Sequence, residues 1–417
     1  MTHDVAAQGR PLGQMRLRTI ENILSGEGGH KGNVLRNALR YNRRNVAGYP
    51  CAIQVGGLCD PCDEIERQQG WLRGLLELAI RYRQPLRLST KGTVLQESDY
   101  LRIIDRAPEL FWVAFSIITC DDALLTRIDR GAPSASARLA TMRVLSEHGV
   151  KTSLRFRPIL PRVSDSTVRE PWAYRTLIDK SAEAGAQAVS YEVAFAPGAI
   201  TRRQREKWAK LCAVTGIDLI GLYRHFGPTT SCMRPSYGWT ENIMHAIREE
   251  AHACGLVVGV SDPVWKQLTD TGCCCGILPD DPVFGNWQVE SATNQLLLAK
   301  VAGKRLHIED VTPAWAHLVP KQWMVASPAG PTGRWRGRHT TWADVLRLLW
   351  NDMERIRGPL HYFQGALMPD GRDANGNVVY EHRGLERQRL AHVPFWSEKM
   401  SESVQEDRDA GLGPTAR

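Results

Sequence analysis

Six of the ten cysteines in this 417-residue chain fall into two groups. Cys51, Cys59 and Cys62 lie close together, and Cys273, Cys274 and Cys275 are consecutive. A thiolate is both a nucleophile and a soft-metal ligand, so clustered cysteines suit metal or iron–sulfur ligation, or radical and redox chemistry. Met1–Leu24 is polar and basic with no apolar leader segment. The thiols are therefore expected to be reduced rather than paired in disulfides, in a cytoplasmic protein.

A second set of residues carries charge where a core is expected. Arg155 and Arg157 alternate along SLRFRPILP. Alternation on a strand puts both on one face, and buried guanidinium groups need an anion. A phosphate or a carboxylate-bearing substrate would serve, and so would an internal pairing with Glu192 (in SYEVAF) or with Asp262. Further along, GRWRGRHTTW (Gly333–Trp342) interleaves arginine with tryptophan, as stacking on bases beside phosphates requires. Phe284 and Trp287, just after the triple cysteine, are candidates to lean over an extruded base.

These residues must be positioned by a regular scaffold. Short apolar runs at Ala52–Gly56, Pro85–Thr90, Phe111–Ile118, Thr152–Ile159, Ala188–Ala194, Ile217–Leu222 and Leu256–Val260 read as strands. Amphipathic patterns at Ile65–Tyr82, Ser136–His148, Arg169–Ala184 and Thr240–Cys254 read as helices between them. Strict alternation implies a parallel sheet, and seven units suit a partial or closed βα barrel. No G-x-G-x-x-G follows a strand, which excludes a dinucleotide fold of the usual kind. Ala343–Ile356 reads as a helix capped by Thr340 or Thr341, Met368–Asn377 as a turn-rich loop, and Ser401–Arg417 as a polar tail. No apolar run is long enough to span a membrane. The net charge of +8 favours a polyanionic partner.

One ordered set of short motifs carries a resemblance. Gly56, Asp60 and Pro61 match a G-x-x-x-D-P element, and Thr90 and Lys91 a T-K after the next strand. Ser116 and Thr119 match S-I-T-T, and Gly131, Ala132, Pro133, Ser134, Arg138 and Leu139 match a G-A-P-S-x-x-x-R-L helix start. Over about half the chain this resembles the radical S-adenosylmethionine (SAM) enzymes of the DNA-photolyase-like group, which contains spore photoproduct lyase. The resemblance implies an α/β fold with a TIM-type βα barrel, followed by a Trp-rich, mainly helical or irregular extension. The expected division is an N-terminal segment 1–48, the barrel 49–265, a substrate- and DNA-binding region 266–400, and the tail 401–417.

The resemblance also implies SAM and a 4Fe–4S cluster as cofactors. Lys91 and Ser116 would contact the SAM carboxylate and ribose. Gly56, Gly57 and Asp60 would lie by its amine, and Glu192 by its adenine or amine. The family's C-x-x-x-C-x-x-C motif is absent from this sequence. Three arrangements remain open. Cys51, Cys59 and Cys62 could form a variant motif, although a strand between Cys51 and Cys59 separates them by roughly 25 Å at ~3.3 Å per residue. Cys59 and Cys62 could combine with Cys273, Cys274 and Cys275, because the first and last loops of a closed barrel are neighbours. In the third arrangement the chain holds no cluster, or a partner chain supplies it. Cys59 also falls one position from the family's hydrogen-donating thiol, and Cys120 is a further candidate. The implied activity is radical chemistry on a thymine or modified thymine in DNA. Rearrangement of an amino-acid adduct during phage DNA hypermodification comes first, with Arg155 and Arg157 holding the adduct. Lyase-type photoproduct repair and a non-catalytic DNA-binding subunit are the alternatives.

Overall fold

The computed structural model describes residues 16–40, 48–57, 59–166, 172–197, 202–225, 232–262, 265, 268–271, 273–285, 305–312, 314–317, 341–353, 359 and 367–382. Two helices, α1 (Leu17–Ser25) and α2 (Gly29–Arg40), precede the sheet. Strand β1 (Ile53–Val55) leads to α3 (Glu64–Gln69) and α4 (Trp71–Arg81), then β2 (Leu86–Thr90), α5 (Ser98–Ile104) and β3 (Phe111–Ser116). Next come α6 (Asp122–Ile128), α7 (Ala135–Glu147), β4 (Lys151–Ile159), α8 (Ala173–Glu183) and β5 (Ala186–Val193). An excursion follows: β6 (Ala196–Pro197), α9 (Arg202–Thr215), β7 (Tyr223–His225) and β8 (Cys232–Pro235). Helix α10 (Tyr237–Ala253) then returns the chain to β9 (Val257–Val260).

The protein is thus α/β, built on a six-stranded parallel sheet in the order β1-β2-β3-β4-β5-β9. Six of the seven expected strands are present. The seventh, Ile217–Leu222, is a run of turns. There the Asp218 carboxylate accepts the Gly221 N–H at 3.0 Å, a local bond that competes with strand pairing. In place of a seventh parallel strand, β6, β8 and β7 form a small antiparallel sheet. Among the described residues β1 and β9 are the two edges and do not pair.

Register assigns the two faces. Leu86 and Leu88, Phe111, Val113 and Phe115, Leu154 and Phe156, Val189 and Tyr191, and Val258 and Val260 share one face and are fully buried. They join Leu76, Met142, Leu177 and Met244 of the flanking helices in a single apolar core. Each such side chain contributes about 1.5–3 kcal/mol by leaving water. The expected single helix over Ile65–Tyr82 is broken at Gly70, which takes φ +62° between α3 and α4. Local chemistry sets other ends: Ser134 caps α7 through the Ala137 N–H, and Asp121 caps α6 through Leu124.

The apolar core continues past the expected boundary at residue 265 as far as Phe284. A second, smaller core unites Leu306, Ile308, Trp350, Leu367 and Tyr380. It is built by α11 (Ile308–Val311), α12 (Trp342–Trp350) and a hairpin of β10 (Leu367–Arg372) and β11 (Val378–His382). Thr341 caps α12 in a reciprocal capping box with Asp344. The stretch expected to be loop, Met368–Asn377, is therefore largely hairpin. Asp373 folds its turn by accepting the N–H groups of Asn375 and Asn377. Trp287, most of Gly333–Trp342 and the tail 401–417 lie outside the described residues.

Candidate functional site

The opposite face of the sheet is polar. Gln54, Arg87 and Ser89, Ser116, Ser153, Arg155 and Arg157, Ser190 and Ser261 project from it, as strand alternation and register require. Arg87 is 2% exposed; it donates to Gln54 Oε1 at 2.6 Å and to Ser89 Oγ at 3.3 Å. Arg155 donates to Ser116 Oγ at 3.2 Å. Arg157 donates to Ser190 Oγ and Ser261 Oγ, and to the Cys274 carbonyl at 3.3 Å.

Two carboxylates stand near these arginines, and they do not balance them. Asp262 is fully buried and pairs with Arg234 of β8 at 2.5 Å. Glu192 is 3.9 Å from Arg157. Burial raises the Glu192 carboxyl above its ordinary value, with Asp262 adding to the rise and Arg157 opposing it. Arg155 has no carboxylate within 4 Å among the described residues, and the cations Arg157 and Arg87 act on it more strongly than Cys275 and Glu192 do. Burial, then Arg157 and Arg87, bring its guanidinium down to about 10. Two of the alternatives open at the sequence level are so decided: Asp262 serves Arg234, and Glu192 reaches only the far edge of the pair.

The segment after β9 covers part of this face. The Cys274 carbonyl accepts Ser190 Oγ at 2.6 Å. A Cβ on Gly259 would come within 2.3 Å of the Gly276 nitrogen, so backbone lies directly on backbone there. Lower down, Phe284 packs edge-to-face on Trp112 at 5.6 Å, and Lys151 pairs with Asp281. Phe284 is fully buried, so it is a core residue and does not lean over a base. The segment closes this face at the N-terminal ends of β3 and β4, where Arg87 lies opposite Trp112, and reaches Arg157 through the Cys274 carbonyl, while Arg155 lies nearer the C-terminal end, opposite Ser116.

At that other end the rim is tied together by carboxylates. Asp60 accepts Thr90 Oγ1 at 2.6 Å, the Lys91 N–H at 2.6 Å and the Cys62 N–H at 3.0 Å. The Lys91 amine pairs with Asp129 at 2.5 Å, and Asp129 also meets the fully buried Arg138 at 3.1 Å. Arg138 in turn donates to the Ser116 carbonyl at 2.6 Å. Gly56, at φ +88°, lies so close to Ser89 that a Cβ would fall 2.1 Å from its carbonyl oxygen. Gly57 has no neighbour within 4 Å of a Cβ.

The cysteines separate by environment. Strand β1 stands between Cys51 and Cys59. Cys59 and Cys62 follow β1, and burial first, then Asp60 and Asp63, raise both thiols. Cys62 also has Glu66 nearby. Cys273 behaves oppositely: burial works against its ionisation, but hydrogen bonds from Cys275 and the backbone outweigh it and lower its pKa. The Cys274 and Cys275 sulfurs are 3.8 Å apart. Groups of three or more donors within single-ion reach, among the described residues, are Asp179–Glu250–Cys254 and His307–Glu309–Asp373. Neither contains Cys59, Cys62 or Cys273–Cys275. An anionic iron–sulfur cluster needs thiolates, and three carboxylates around Cys59 and Cys62 oppose them. Cys59 and Cys62 are thus held toward the protonated thiol, and the carboxylates beside them oppose a cluster at those two positions.

Sequence reasoning located Arg155, Arg157 and Glu192 but missed Arg87, Gln54, Ser190 and Ser261. The signal for Arg87 was a charged residue between two leucines in LRLST, in the same alternation as Arg155.

No family model matches the chain. Uncharacterised proteins of Mycobacterium tuberculosis and Mycobacterium bovis are each 29% identical to it over 129 residues. The match takes in 31% of this chain and 38% of theirs, so the chain spans well under half the length of these curated relatives. Among solved structures, spore photoproduct lyase complexed with dinucleoside spore photoproduct superposes with a TM-score of 0.41 at 16% identity, over 56% of this chain and 70% of that one. A point mutant of the same lyase gives 0.40 at 16% identity, over 53% and 63%. Among the described residues no helix is long and apolar enough to cross a membrane.

Proposed function

We propose that this chain is a SAM-dependent radical enzyme that rearranges an amino-acid adduct on a thymine base in DNA. The observation that carries the reading is Arg155, half-buried on the inner face beside Arg87 and Arg157, with a hydroxyl as its hydrogen-bond partner. Cations gathered in this way are stable only with an anion between them, and a substrate carboxylate is such an anion. The motif order from Gly56 to Leu139 supports the radical SAM assignment. On this reading Gly56, Gly57, Asp60, Lys91, Ser116 and Glu192 form the SAM side of the site, and Arg155 and Arg157 the substrate side. The chain's own residues bind the adduct, orient it and exclude water from it. The 266–400 region is assigned to the DNA, in keeping with the basic net charge.

The test is incubation of anaerobically reconstituted chain, SAM and reductant with duplex DNA carrying a glycinyl–thymine adduct, followed by mass spectrometry of the nucleosides. A new nucleoside of unchanged mass supports rearrangement, and an unchanged adduct overturns it. Release of thymines from a cross-linked dimer under the same conditions would assign the lyase alternative instead. A second reading is favoured by the raised thiols at Cys59 and Cys62: a DNA-binding subunit whose cluster comes from a partner chain, or that needs none. DNA bound without iron and without turnover would select it.

A further inference from the structure

A cavity of about 350 Å³ lies at the N-terminal ends of β1 and β2, opposite the rim that carries Lys91. Arg36 and Arg40 of α2 line it, with Tyr49 just before β1 and the Tyr82–Arg83 pair just before β2. None of its lining residues is acidic. Arg83 lies 5.0 Å from the Tyr49 ring centroid and donates to the Tyr49 hydroxyl at 2.5 Å. Its backbone is held at φ +50°, a left-handed conformation that non-glycine residues adopt at a cost. Arg36 Nε is buried with no hydrogen-bond partner. Among the described residues neither Arg36 nor Arg40 has a carboxylate within 4 Å.

An aromatic-walled pocket with three guanidinium groups and, among the described residues, no counter-charge has a definite complement. Guanidinium forks match phosphate oxygens, tyrosine faces match a base, and the volume suits a mononucleotide. The geometry points to a nucleotide-phosphate site here, in which Arg36, Arg40 and Arg83 take the phosphate and Tyr49 and Tyr82 flank the base. The phosphate comes either from a free nucleotide or from a DNA strand. The site lies at the other end of the sheet from Arg155 and does not depend on the chemistry proposed there.

Titration calorimetry of the full chain with thymidine 5′-monophosphate, inorganic phosphate and a short DNA duplex tests this. The mononucleotide should bind more tightly than inorganic phosphate, and Arg36→Gln/Arg40→Gln should weaken it about tenfold or more. Arg106→Gln, at an exposed arginine outside the cavity lining, should leave that affinity unchanged. If the duplex alone loses affinity in the double variant, with a shallower salt dependence, the ligand is a strand phosphate. Exposed Arg40→Gln alone, with a melting curve matching the wild type, guards against a folding defect and should show a smaller loss of the same kind. Absence of binding by both nucleotide and duplex, or affinities that folded variants leave unchanged, would overturn the site.

Discussion

Buried arginines occur in two regions of this molecule, and they differ in what answers their charge. At the rim and beside β8, Arg138 and Arg234 each meet a buried carboxylate, Asp129 at 3.1 Å and Asp262 at 2.5 Å. On the inner face, Arg155 meets a hydroxyl and two other arginines. Residue type and burial are similar, so partner chemistry separates a structural cation from a binding one. A closed pair is finished by folding, whereas an unanswered cation keeps a strong affinity for whatever anion enters.

The largest expected effect lies on the closed side. Arg234→Met removes the guanidinium paired with a fully buried Asp262 and should cost about 4 kcal/mol in urea unfolding. A loss under about 1 kcal/mol would dissolve the distinction between the regions.

Asp129→Asn should cost about 3 kcal/mol by leaving Arg138 without its carboxylate. Burial alone would raise the Asp129 carboxyl, but Lys91 and Arg138 more than offset it, and its pKa is lowered. A depressed carboxyl contributes stability that is present above the unfolded value near ~3.9 and is lost as pH falls through the folded value. The acid limb of the wild-type stability curve should therefore be steeper than that of Asp129→Asn, as denaturant midpoints between pH 5 and pH 2 would reveal.

On the open side the sign reverses. Arg155→Met removes a cation that Arg157 and Arg87 repel, so it should leave stability unchanged or raise it by about 1 kcal/mol without ligand. The same variant should lose adduct-DNA affinity about tenfold or more. Destabilisation by Arg155→Met would mean that an internal partner already neutralises this residue.

The smallest effect extends the comparison from cations to thiols. Asp63→Asn keeps an acceptor at the α3 cap, where Asp63 receives the Ile65 and Glu66 N–H groups, but removes one charge near Cys59. The Cys59 alkylation profile should shift to lower pH with the helix intact, and an unmoved profile would leave burial and Asp60 as its causes.

Much of the scaffold was legible in the chain. Apolar runs such as Phe111–Ser116 are strands because buried parallel strands are apolar on both sides or nearly so. The R-x-R alternation placed Arg155 and Arg157 on one face. Ile217–Leu222 misled because its apolar residues surround Asp218, whose side chain bonds its own backbone. The hairpin at Leu367–His382 was hidden because its turn residues outweigh its short strands in composition.

The sequence by itself determined most of the order of strands and helices, a cap at Thr340 or Thr341, and the unusual presence of charge in strand β4, since all of these depend on residues a few positions apart. Only the tertiary structure decided that Arg87 joins Arg155 across two strands, that Asp262 is spent on Arg234, and that Cys274 offers its carbonyl to Arg157 and Ser190. Those outcomes depend on register and on distances between residues as much as 117 positions apart, which no local pattern encodes.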